Sequence, residues 1–220
     1  MSAWTRMVIG TIRALSNDPQ AWEASIREFE REDRRQPPLG DAVVFVGSST
    51  FTLWKTLQQD MAPLKVMNRG FGGAKIPDVV RYFERAVLPH KPRTVVLFAG
   101  TNDISGRAPA SARDVYEGFV AFMTKVRQHL PGTAVYYLAI TPTLARWRHW
   151  AIASQANELI REYAAREPGV HVIDTRDRFL GNDGKPIRGL FRWDRLHPNR
   201  QGYALLAGAI RPVLQAAASR

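Results

Sequence analysis

Val43-Val44-Phe45-Val46-Gly47-Ser48-Ser49-Thr50 reads as a buried strand that stops abruptly in a hydroxyl-rich turn. Four consecutive β-branched or aromatic residues suit a strand covered on both faces, and Gly-Ser-Ser-Thr is a poor continuation of it. In an open parallel sheet, ligands sit in the crevice beyond the carboxyl ends of the strands, so a hydroxyl placed here would face one. Taken alone, the same stretch is also an ordinary polar turn. Its meaning rests on what the other strand ends carry.

Outward from this strand, apolar runs alternate with helical patterns. Upstream, Asn17-Asp18-Pro19 is a helix start signal, and Trp22, Ile26 and Phe29 recur at helical spacing, which predicts a helix over 19–34. Gln36-Pro37-Pro38-Leu39-Gly40 ends it. Downstream, a short helix is expected from Phe51, a second strand over 65–68, and a helix over 77–88 with Val79, Val80, Phe83 and Val87 inward. Strands follow over 94–99 and 134–140, with a helix capped by Ser111 and Asp114 between them. A helix over 151–166, a fifth strand over 170–173 and a last helix over 198–218 complete the series; Tyr203, Leu206, Ile210 and Leu214 form its inner face. This alternation predicts a single α/β domain, a three-layer α/β/α sandwich on a parallel sheet, with residues 1–18 as an N-terminal extension.

Composition limits what such a domain can be. At 220 residues, 45% hydrophobic and 23% charged, the chain can bury a full core. No stretch approaches the roughly 20 apolar residues that span a bilayer. Arg6 and Arg13 flank an apolar run over 7–12 that is too short for a secretory signal, which leaves the cytoplasm as the expected compartment. The absence of cysteine excludes disulfides, a thiol nucleophile and thiolate metal sites together. The net charge of +11 attracts polyanions in general. Its cations are dispersed, however, and Glu23, Glu28, Glu30, Glu32 and Asp33 offset the early arginines. With no recognition motif present, no specific nucleic-acid partner is expected.

The strand ends carry the chemistry. The first supplies Ser49, the second a glycine turn at Gly73, the third Asn102, and the segment before the last helix supplies Asp194-Arg195-Leu196-His197. A serine hydroxyl needs a base to become a nucleophile, and histidine is the natural base at neutral pH. The histidine needs a carboxylate to fix its tautomer, and a three-residue spacing lets one tight turn bring Asp194 and His197 together. Acyl transfer also develops an oxyanion, for which the N–H groups of Ser49 and Gly73 and the side-chain amide of Asn102 are suitable donors.

In these blocks the chain resembles the SGNH or GDSL-type serine hydrolases. Gly47-Ser48-Ser49 is similar to the family's Gly-Asp-Ser, with Ser48 replacing the usual aspartate, and makes Ser49 the nucleophile. Asn68-Arg69-Gly70-Phe71-Gly72-Gly73 matches the second block, Gly100-Thr101-Asn102-Asp103 the third, and Asp194 to His197 the last. The resemblance runs from about Trp22 to the C-terminus. It implies a flavodoxin-like five-stranded sheet, an open shallow site, no metal and no organic cofactor. It also implies a small-molecule carboxylic ester as substrate, with a short acyl group. An acyltransferase would use the same residues with an alcohol replacing water. A phosphate- or nucleotide-binding module would use 47–50 as an anion loop, but the expected glycine motifs are missing and His197 beside Asp194 would have no purpose.

One further pattern concerns the substrate. Arg146, Arg148, Lys185, Arg188, Arg192 and Arg195 fall in segments expected at the active edge, with Trp147, Trp150, Phe191 and Trp193 interleaved. Solvated surface, or local pairing with Asp177 and Asp183, accounts for such residues. The functional alternative is a cationic, aromatic-walled mouth in which Arg146, Trp147, Arg148 and Trp193 bind the substrate and favour neutral or anionic esters.

Overall fold

Helix α1 (Glu23–Arg35) precedes β1 (Val43–Gly47) in a computed structural model that describes residues 20–36, 40, 42–106 and 108–218. Then come α2 (Ser49–Thr52), α3 (Leu57–Asp60), β2 (Val66–Gly70), α4 (Ile76–Arg81), α5 (Phe83–Ala86) and β3 (Thr94–Phe98). The chain continues through α6 (Ala112–His129), β4 (Ala134–Leu138), a 3-10 turn (Leu144–His149) and α7 (Trp150–Arg166). β5 (Val170–Ile173), α8 (Arg176–Phe179), a second short 3-10 turn (Arg188–Leu190) and α9 (Arg200–Ala218) follow. The expected start signal at Asn17-Asp18-Pro19, the extension 1–18 and residues 37–39 lie outside the described residues.

All five strands are parallel, in the order β2-β1-β3-β4-β5. Successive side chains point to opposite faces, so the strands feed two cores at once. Val44, Val46, Val95, Leu97, Val135 and Tyr137 join the core under α1, α4, α5, α6 and α7. Val43, Phe45, Val96, Phe98, Tyr136 and Leu138 join the core under α2, α3, α8 and α9. This is the three-layer sandwich expected from the alternation. The chain steps from β1 to one side at β2 and then returns to the other side at β3. That reversal opens a crevice beyond the ends of β1 and β3, the place where such sheets bind ligands.

Two expected elements change shape. The helix over 77–88 is two helices separated at Tyr82, whose φ and ψ of −96° and 12° leave the helical range; Val80 is only half-buried. The second strand runs two residues further, through Asn68-Arg69-Gly70, because the polar side chains there find partners. Asn68 Nδ2 donates to the Phe51 carbonyl, and Arg69 reaches Asp33, Glu32 (3.2 Å) and His90 (3.3 Å). Elsewhere the local signals hold. Ser111 and Asp114 form the reciprocal cap of α6, and Tyr203, Leu206, Ile210 and Leu214 are all buried.

Candidate active site

Ser49 is the first residue of α2, directly beyond the end of β1. A four-residue helix has no stability of its own. Phe51, fully buried, holds it by packing on Phe45 (5.3 Å between ring centroids) and Phe98 (5.8 Å). Gly47 makes the turn before it sterically feasible. Its φ is +147°, and a Cβ there would stand 2.0 Å from the Phe98 carbonyl oxygen. Ser48 N–H donates to that same carbonyl at 3.0 Å, and Phe71 N–H donates to the Gly47 carbonyl at 2.9 Å.

The Asp194–His197 segment is closed at its base by a bridge between Phe191 and Pro198. Within it, Arg192 N–H donates to the His197 carbonyl (2.8 Å) and Arg195 N–H to the Arg192 carbonyl (2.9 Å). Asp194 Oδ1 accepts the backbone N–H groups of Leu196 and His197, each at 2.9 Å, and Oδ2 lies 2.7 Å from His197 Nδ1. A carboxylate can only accept here, so the proton sits on Nδ1 and Nε2 is left as the acceptor. Nε2 lies 2.8 Å from Ser49 Oγ, across 148 residues of sequence. Burial alone would raise the Asp194 carboxyl; the His197 ring and the two backbone N–H groups outweigh it and hold it below the usual range.

The glycine turn after β2 meets the end of β3 at two points. Asn102 Nδ2 donates to the Ala74 carbonyl at 3.0 Å, which uses one of its two amide hydrogens. The Asp103 carboxylate accepts the N–H of Ile76, the first residue of α4, at 3.1 and 3.3 Å. Gly73 directly precedes these anchors, with φ +85°. Asp103 is almost wholly buried, and that burial pushes its carboxyl up to about 6 against the partial relief of the Ile76 N–H. Asn68 adds a third tie: its Nδ2 reaches the Phe51 carbonyl at 2.6 Å while its Oδ1 accepts Gly70 N–H at 2.9 Å. Sequence reasoning assigned no role to Asn68 or Asp103. Their only signal was membership of the blocks that contain Gly73 and Asn102.

Ser49, Asn102 and His197 share a small cavity of about 20 Å³. Thr101, Thr141, Thr143, Phe98, Phe191, Leu196 and Leu206 complete much of its lining, and none of these was singled out for it from the sequence, although Phe191 was expected in an aromatic wall. Phe191 is a core residue that packs on Phe179 at 5.7 Å. Arg146, Trp147, Arg148 and Trp193 are not among the residues lining this cavity. Trp147 stacks on Trp150 at 6.0 Å, Arg148 Nε donates to His149, and Trp193 is 92% exposed. The segment carrying Arg146 is nonetheless tied to the His197 segment, through Ala145 N–H donating to the Arg195 carbonyl at 3.0 Å. Asp177 pairs with Arg176, and Asp183 caps Lys185 N–H, so neither carboxylate neutralises the expected mouth arginines.

Known proteins are similar to this chain in sequence or in fold. The human platelet-activating factor acetylhydrolase IB subunit alpha1 is 29% identical over 204 residues, which cover 88% of this chain and 82% of that one. A GDSL-like lipase from Bacteroides thetaiotaomicron superposes with a TM-score of 0.74 at 19% identity, covering 88% of this chain and 98% of its own. A carbohydrate esterase family 3 structure from Talaromyces cellulolyticus gives a TM-score of 0.63 at 20% identity, covering 80% and 97%. Both superpositions speak for the fold. Among the described residues no helix is long and apolar enough to cross a membrane. Since the GDSL-like lipase/acylhydrolase family profile matches residues 39–205, from just before β1 into α9, the chain belongs to that family and is a carboxylic ester hydrolase.

Proposed function

We propose that the chain is a serine esterase that works through an acyl-enzyme, with Ser49 as nucleophile, His197 as base and Asp194 as its orienting carboxylate. The observation that carries this reading is the continuous line Asp194–His197–Ser49, at 2.7 and 2.8 Å. Ser49 Oγ attacks the ester carbonyl carbon while its proton passes to His197 Nε2. The negative charge that forms on the carbonyl oxygen is received by the N–H groups of Ser49 and Gly73 and by the second amide hydrogen of Asn102. Collapse of the tetrahedral intermediate breaks the bond to the alcohol, which leaves with the proton held by His197. Water, deprotonated by the same ring, then attacks the acyl-enzyme and returns Ser49 to its starting state.

The substrate is a short-acyl ester, acetyl by size. The narrow cavity beside Ser49, about 20 Å³, favours a small acyl group. The acetylhydrolase activity in the name of the human relative supports the same choice. Treatment with a serine-directed phosphonate should add one mass increment to the intact protein, mapped by peptide sequencing to Ser49, and Ser49→Ala should take up none and lose ester hydrolysis. Labelling at Ser48 would overturn the assignment of the nucleophile.

A further inference from the structure

Two populations of basic residues differ in how they are neutralised. Arg27, Arg31, Arg69 and Arg85, on and under α1, all pair with glutamate or aspartate. Residues 185–200 contain five cations, Lys185, Arg188, Arg192, Arg195 and Arg200, against the single carboxylate of Asp194, which is taken up by His197. Among the described residues none of these five forms an ion pair, and all but Arg192 are exposed. Arg192 is held by backbone carbonyls, donating to Pro198 at 3.2 Å and Leu53 at 3.4 Å. With Arg200 and Lys55 it lines an open cleft of about 550 Å³. The carboxylate of that cleft, Asp60, is occupied by Trp54 Nε1 and the Thr56 hydroxyl, each at 2.6 Å.

Trp193 lies within this cationic segment, between Arg192 and Arg195 in sequence, and is 92% exposed. It occupies a turn closed by the Arg195 N–H bond to the Arg192 carbonyl. The turn that aims Asp194 at His197 accounts for an outward side chain but not for an indole, the largest apolar group available. Ile187, also exposed, lies on the same segment. An exposed indole on a segment of exposed, unpaired cations has the chemistry of a lipid–water interface. The ring enters the headgroup layer, while arginine and lysine meet anionic headgroups.

We infer that residues 185–200 form a docking surface for an anionic lipid membrane, with Trp193 as the inserted anchor. A polyanion could in principle be nucleic acid, but the rim borders a site that, on the proposed function above, cleaves carboxylic esters. Lipid is the anionic surface that carries them. Docking there brings the Ser49 cavity to the membrane, so esters carried by the lipid layer are hydrolysed at a local concentration that dissolved esters do not reach.

The test uses Ser49→Ala protein, which removes turnover from the binding measurement. It is sedimented with vesicles of phosphatidylcholine alone and with vesicles containing roughly one-third phosphatidylglycerol. The expected result is binding to the mixed vesicles only, weakened by salt, and about tenfold weaker or more with added Trp193→Ala or the pair Lys185→Glu with Arg188→Glu. On the Ser49 background, the ratio of hydrolysis of a vesicle-borne short-acyl lipid to that of the same acyl group in a dissolved ester should fall in both variants. Absent binding, equal binding to neutral vesicles, or binding indifferent to Trp193→Ala overturns the inference. So does displacement by a single-stranded oligonucleotide at equal phosphate, which assigns the rim to nucleic acid. Failure of the wild type to hydrolyse the dissolved ester strikes the proposed function instead, and leaves vesicle binding by Ser49→Ala to be judged separately.

Discussion

Asp194 and Asp103 both border the site, and their surroundings drive them in opposite directions. Asp194 is partly exposed, accepts three hydrogen bonds and is held below the usual carboxylate range. Asp103 is buried, is answered only by backbone N–H groups, that of Ile76 foremost, and is pushed up to about 6. The difference separates two kinds of work. In the proposed mechanism the first carboxylate stays charged beside a ring that gains a proton. The second joins the end of β3 to the start of α4 and so frames the turn that holds Gly73. On the proposed mechanism, one side of the site handles protons and the other holds donors still.

The proton side should show the largest effect. His197→Ala is expected to lower kcat on the order of 10⁴-fold or more, because it deletes the base. Asp194→Asn should cost as much or less, since it spoils the tautomer and orientation while leaving the ring in place. Steady-state rates on a dissolved acetyl ester measure both, and full activity in His197→Ala would remove the proton relay from the mechanism.

On the donor side, Asn102→Ala should lower kcat about 10²–10³-fold with little change in KM, since an oxyanion donor acts mainly in the transition state. A rise in KM alone would make Asn102 a substrate-binding residue and erase the contrast between the two sides.

The smallest effect concerns stability. The folded-state pKa of Asp103 lies above its ordinary 3.8, so acidification from about 6 downward protonates it in the folded protein before the unfolded chain. The wild type should therefore gain stability relative to Asp103→Asn as pH falls through that window, and lose it as pH rises again. The difference from its ordinary value corresponds to at most roughly 3 kcal/mol. Urea unfolding of both proteins between pH 7.5 and 4.5 reads it. A wild type that loses ground on acidification would show a carboxylate stabilised in its charged form, like Asp194.

Much of this architecture was legible because it is written in local patterns. The apolar runs of β1, β3, β4 and β5 and the helical spacing of Val115, Phe119, Phe122 and Val126 announce themselves without tertiary information. The Asp194–His197 contact is equally local, since three residues of separation suffice for it. The break at Tyr82 was not legible, because no glycine or internal proline in 78–88 marks it. The length of β2 was hidden for another reason. Arg69 and Gly70 look like the start of a loop until Asp33, Glu32 and His90 supply the arginine's partners from elsewhere in the chain.

The sequence by itself therefore determined the set of elements and the chemical groups at their ends, because hydrophobic period and turn composition act over a few residues. Only the tertiary structure decided which ends meet. Ser49 reaches His197 across 148 residues because the return from β2 past β1 to β3 opens the crevice between them. It also decided which charges are spent. Arg69 and Arg85 vanish into ion pairs, whereas Arg188, Arg195 and Arg200 remain unpaired among the described residues. Charge pairing depends on distances of a few ångströms between remote segments, and no local pattern carries that information.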